Sequence, residues 1–72
     1  MGPLDQAELG TRFTYHTPKE GQPEKYQKLR NMGGELALSF VEHCPASREL
    51  SLAVTKLEEA IMWANAAIAR RG

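Results

Sequence analysis

The sequence predicts an all-α fold: an antiparallel two-helix hairpin with an extended N-terminal arm, assembling into a homo-oligomer. Three observations carry this. Two apolar stripes recur at helical period, one over residues 23–43 and one over residues 47–70. Between them Pro45 cannot continue a helix, and so short a turn folds two long helices back on each other. Finally, 72 residues with one cysteine lack both the large core and the disulfides that stabilise small domains. Self-association is the remaining source of stability.

Taken in order, residues 1–10 read as a flexible N-terminus, punctuated by Gly2, Pro3 and Gly10. Residues 11–22 read as the arm. Thr11, Phe13, Thr14, Tyr15 and Thr17 give it strand-like content, and Pro18, Gly21 and Pro23 stop any regular element. Pro23 suits the first turn of a helix, where its missing N–H costs nothing.

The first helix spans 23–43. Tyr26, Leu29, Gly33, Leu36, Phe40 and Cys44 recur every three or four residues, and Ala37, Leu38 and Val41 widen the stripe. Gly33-Gly34 costs roughly 1 kcal/mol per glycine relative to alanine. The pair is either a tolerated weak spot or a place where another helix comes close. Ser47 is the expected N-cap of the second helix, with Glu49 in its first turn. Over 47–70, Leu50, Val54, Leu57, Ile61, Ala64 and Ile68 form the most regular stripe, and Arg70 and Arg71 sit at the end that favours cations. Met32, Leu38, Val41, Ala60, Met62, Trp63 and Ala67 fall off the seam, and packing of one hairpin on another would cover them. Trp63 is expected at a subunit contact, stacking on a ligand base being its other possible role.

Composition excludes several classes. Nine basic and nine acidic side chains leave no net charge, so no nucleic-acid polymer is expected as partner. No apolar run reaches the roughly 18 residues that span a bilayer. The N-terminus lacks the basic region and apolar core of a signal peptide, so a cytoplasmic location is expected. A metal site is not expected, because His43 and Cys44 are adjacent and His16 is distant. Nor is an enzyme: Cys44 lacks a base and an orienting group, and Glu58 and Glu59 project about 100° apart on a helix. No cofactor motif is present.

Neutrality hides a segregation. Residues 11–30 carry five basic and two acidic side chains, together with Phe13, Tyr15, His16 and Tyr26; residues 31–62 carry two basic and five acidic. Rings beside cations suit a nucleotide, since bases stack on rings and phosphates meet cations. The same aromatics would also suit an arm that fills a neighbouring subunit's groove, and composition leaves both open.

The stretch Ser47-Arg48-Glu49-Leu50-Ser51-Leu52-Ala53-Val54-Thr55-Lys56-Leu57-Glu58-Glu59-Ala60-Ile61-Met62-Trp63-Ala64-Asn65-Ala66-Ala67-Ile68-Ala69-Arg70 resembles the helical-hairpin domain of phage anti-CBASS and anti-Thoeris sponge proteins. Arg12-Phe13-Thr14-Tyr15-His16, Gly21-Gln22-Pro23 and Tyr26-Gln27-Lys28-Leu29-Arg30 are also similar, so the resemblance covers about 60 of 72 residues. It implies a homo-hexamer that binds cyclic dinucleotides, cyclic trinucleotides or cyclic ADP-ribose isomers without cleaving them, in the cytoplasm of an infected bacterial host. It further implies an arm aromatic that stacks a base and a cation early in the first helix that meets phosphate. Tyr15, with His16 beside it, matches the first; Lys28 matches the second, with Lys25 or Arg30 in reserve. A second pocket would draw on Thr55, and then on Arg48 and Asn65. From a different class, a structural or regulatory helical oligomer that binds a protein partner is the alternative reading.

Overall fold

In the computed structural model, which describes residues 5–72, three helices follow one another: α1 (Gln6–Phe13), α2 (Gln22–His43) and α3 (Arg48–Arg71). All regular structure among the described residues is helical. None of these helices is long and apolar enough to cross a membrane.

The hairpin follows from its caps. Ser47 Oγ accepts from Leu50 N at 3.1 Å and satisfies one of the free N–H groups that open α3. At the far end Gly72 N donates to Ile68 O at 3.0 Å. Helix α2 begins after Gly21, whose φ of 82° turns the chain where a Cβ would be strained. Pro23 sits in its first turn, and Cys44 N closes its last turn on Phe40 O at 2.9 Å. Residues 14–18, between α1 and the turn ahead of α2, are extended or irregular.

Helix α1 corrects the reading of residues 1–10 as flexible and of residues 11–22 as extended throughout. Residues 1–4 lie outside the described residues, but from Asp5 onward a capped helix forms. Asp5 accepts from Glu8 N at 2.8 Å, Leu9 N reaches Asp5 O, and Arg12 pairs with Glu8 one turn earlier at 3.7 Å. The strand-like content of residues 11–17 gives way to this local hydrogen bonding, so that Thr11, Arg12 and Phe13 are helical.

Helices α2 and α3 meet along the two stripes. Leu50, Val54, Leu57, Ile61, Ala64 and Ile68 are all half-buried, as are Tyr26, Leu29, Ala37 and Phe40 opposite them. The two central glycines separate in role. Gly33 is buried, and a Cβ there would lie 2.9 Å from Ile61 Cγ1; Gly34 has open space. Close helix approach therefore explains the first glycine only.

No apolar side chain among the described residues is fully buried. The accessible surface is 5850 Å², against roughly 4,500 Å² for a folded monomer of this mass. The radius of gyration is 15.4 Å, where about 11 Å is usual for this length. Met32, Leu38, Val41, Met62 and Trp63 are each more than half exposed.

The helix contact generates a paired prediction. Gly33→Ala should lower stability by about 1 kcal/mol, because the added methyl overpacks a β-branched neighbour that has little freedom to move. Gly34→Ala should raise stability by about the same amount, through helix propensity alone. Urea unfolding followed by circular dichroism checks both, and equal shifts for the two variants would contradict the packing described.

Candidate functional site

An antiparallel hairpin sets the start of α2 beside the end of α3, and here the arm and the end of α1 fold onto the same place. One side chain organises the junction. Gln22, 6% exposed, is the only buried polar residue among those described. Its Oε1 accepts from Lys19 N at 2.9 Å, and its Nε2 donates to Ile68 O at 3.1 Å. Tyr26 OH donates to the same Oε1 at 3.5 Å. Lys19 Nζ adds a bond to Gly72 O at 2.6 Å. The amide thus ties the arm to both helices and adds a second hydrogen bond to a carbonyl at the end of α3.

Above this junction lies an open cleft of about 440 Å³. Arg12 comes to it from α1, Thr14, Tyr15, His16 and Pro18 from the arm, Tyr26 and Arg30 from α2, and Asn65, Ala66, Ala69 and Arg70 from α3. Helical spacing explains the contributions. Tyr26 and Arg30 are four residues apart, as are Asn65 and Ala69, and Ala66 and Arg70; each pair shares a face. The two alanines leave the floor shallow.

Three guanidiniums face this space and no carboxylate lines it. Arg30 Nη2 donates to Gln27 Oε1 at 3.3 Å, and Arg70 has no ion-pair partner among the described residues. Tyr15 is 81% exposed, so its ring is open to stacking. His16 is half-buried and its Nε2–H donates to Thr11 O at 2.7 Å, a bond that assigns the proton to Nε2. Asn65 Oδ1 is buried without a hydrogen-bond partner. Phosphate-binding forks, stacking rings and an unsatisfied amide together suit an anionic ligand with an aromatic ring.

Of the residues singled out from sequence, Tyr15, His16, Arg30 and Asn65 come together here. Lys25 and Lys28 do not. Lys28 points about 160° around α2 from Arg30 and does not line this cleft. Thr55 and Arg48 are exposed and lie about 15 Å and 26 Å along α3 from Asn65, outside the cleft. Arg12, Tyr26 and Arg70 also line the cleft; in the sequence the first two stand out as members of the basic, aromatic segment, and Arg70 as a helix-end charge. A signal for the α3 part was present: Asn65-Ala66 and Ala69-Arg70 put polar groups and small residues on one face.

Two apolar grooves of about 520 Å³ flank the hairpin seam. One runs past Gly34, Ala37, Val54 and Met62 and meets the cleft at Arg30 and Asn65; the other lies under Leu29, Met32 and Leu36. Among the described residues no three His, Cys, Asp or Glu side chains stand close enough to hold a metal ion.

The protein-family model described as Acb2/Tad1, hairpin domain, matches residues 5–69. No curated protein and no solved structure matches the chain at a significant level.

The position of α1 beside the cleft carries a pH dependence. Glu8 accepts two hydrogen bonds from Arg71 Nη2, one of them at 2.9 Å, and lies 3.7 Å from Arg12. The bond from Arg71 holds the Glu8 carboxyl below its ordinary value of 4.5, aided by the charges of Arg71 and Arg12 and opposed by partial burial and by Asp5. The folded-state pKa is the lower one, so the contribution of Glu8 is complete above about pH 5 and is lost as the pH falls through its folded value. Protection of the α1 amides, corrected for the intrinsic slowing of exchange in acid, should therefore fall selectively as the pH drops below 4.5 while the hairpin amides stay protected. Glu8→Gln should remove that pH dependence.

Proposed function

The chain belongs to the Acb2/Tad1 hairpin family of phage anti-CBASS and anti-Thoeris sponge proteins, and we propose that it sequesters cyclic nucleotide immune signals at the cleft beside Tyr15. The observation that carries this reading is the meeting of Arg12, Arg30 and Arg70 with Tyr15 and Tyr26 in one space that no carboxylate lines. Guanidinium forks match phosphate oxygens, and an exposed ring stacks on any base. Neutralising paired phosphates by arginines held on separate helices gives affinity without attacking a bond. Capture is stoichiometric and leaves the ligand intact, with no catalytic residue and no cofactor.

A sponge works by mass action, so it needs affinity near the nanomolar range, roughly −12 kcal/mol. We assign the exposed apolar residues of α2 and α3 to contacts between copies of the chain, a hexamer being the assembly proposed. Met32 and Leu36 beside one groove, and Met62 beside the other, are placed for it. The site of action follows as the cytoplasm of the infected bacterial host, where the signals are made. A protein partner on Trp63 and Met62 is the competing reading, favoured by their exposure at 62% and 64%.

Calorimetry against cyclic di- and trinucleotides and cyclic ADP-ribose isomers is the test. At least one should bind with a fixed ratio to protomer and be recovered intact from denatured protein. Tyr15→Ala should weaken that ligand on the order of tenfold or more, as loss of one stacked base implies. Arg30→Ala should do the same, whereas Lys28→Ala should stay near wild type. Failure of every panel member to bind would favour the protein partner.

A further inference from the structure

Helix α1 is held in place without a core of its own. It has no buried residue, and its apolar side chains Leu9 and Phe13 are 43% and 86% exposed. Eight residues are too few for a stable isolated helix. Two polar ties fix it instead. Glu8 binds Arg71 at the end of α3, and the carbonyl of Thr11 accepts from His16 in the arm. Between those ties sits Arg12, which lines the cleft. Its Nε faces Glu8 at 3.7 Å, and among the described residues neither Nη makes a hydrogen bond. Glu8 is only 18% exposed and serves both arginines.

We propose that Arg12 is a phosphate contact of the cleft, and that the Glu8–Arg71 pair is the strut that positions it. This rests on the reading of the cleft as a cyclic nucleotide site. The Nε edge of Arg12 faces Glu8 at ion-pair distance, which draws the guanidinium toward the end of α3; the free Nη fork is the part that matches two phosphate oxygens. Glu8 is thus a positioning residue, acting on the ligand through Arg12. Its negative charge beside an anion site would otherwise be unfavourable, and that opposition in sign makes the proposal testable.

The experiment measures the affinity of 3′,3′-cyclic GMP–AMP, or of whichever panel member binds wild type, for Arg12→Gln, Glu8→Gln and Arg71→Gln. Gln keeps helix propensity, and circular dichroism verifies helix content. Arg12→Gln should weaken binding on the order of tenfold. Glu8→Gln adds positive charge near the cleft and Arg71→Gln removes it, so a purely electrostatic role predicts opposite shifts. The strut predicts that both weaken binding, and that the double variant is no worse than either alone. Opposite shifts, or an Arg12→Gln affinity within about twofold of wild type, would overturn the proposal. If wild type binds no panel member, the cyclic nucleotide reading fails, and Arg12 is judged by pyrophosphate: its Nε–Hε resonance should shift on titration, and an unmoved resonance overturns its role.

Discussion

A single buried amide decides how the open end of this hairpin is built. Gln22 offers one acceptor and one donor to two chain segments that are otherwise joined by the bond from Lys19 Nζ to Gly72 O. Its oxygen takes the N–H of Lys19 and its nitrogen gives to the carbonyl of Ile68. Replacing the oxygen by an apolar atom would take the acceptor from the Lys19 N–H, whereas the Ile68 carbonyl would keep its bond from Gly72 N. The arm is thereby folded back over the first turns of α2, and Tyr15 and His16 arrive beside Arg30 and Arg70. With no apolar side chain fully buried among the described residues, polar ties of this kind take on work that a core does elsewhere.

Elsewhere the hairpin is incomplete as a folded object. Its two stripes face each other, yet every residue of the α3 stripe remains half-exposed. Gly33 lets α3 come close at Ile61, and the helices leave a groove on either side of that contact. The two grooves and the exposed Met32, Leu38, Val41, Met62 and Trp63 describe a surface that water covers poorly. Stability and site are joined here, because one groove runs into the cleft at Arg30 and Asn65.

The parts governed by periodicity were legible in the sequence. The α3 stripe, the Ser47 cap, the Pro45 break and the tight turn at Gly21 all depend on local chemistry that residue type announces. Helix α1 was weakly legible: its Asp5 cap and Glu8–Arg12 pair are local signals set against Gly10 and β-branched residues, and its tie to Arg71 spans 63 positions of sequence. The site was half legible. Aromatic content marked the arm, and Tyr15 does line the cleft, but the sequence left three cations of α2 as candidates for it. Only the rotation of α2 around its axis separates Arg30 from Lys25 and Lys28. Arg70 looked like a charge suited to a helix end, and nothing in its neighbours disclosed that the arm would bring rings to it. Gln22 was read as one residue of a break between arm and helix, since its burial depends on a carbonyl 46 residues away.

The three cleft arginines ride on three different helices, and those helices share little apolar contact beyond the α2–α3 seam. An anion gripped by all three would fasten α1 and the arm to the hairpin from the outside. Loading and folding then become one equilibrium: free ligand at one hundred times its dissociation constant adds about 2.7 kcal/mol to the folded state. For so small a domain that is a large share of the total. Empty molecules would be the ones that open and meet proteases, while filled ones last, so the cell's own degradation machinery would enrich the occupied form of the trap.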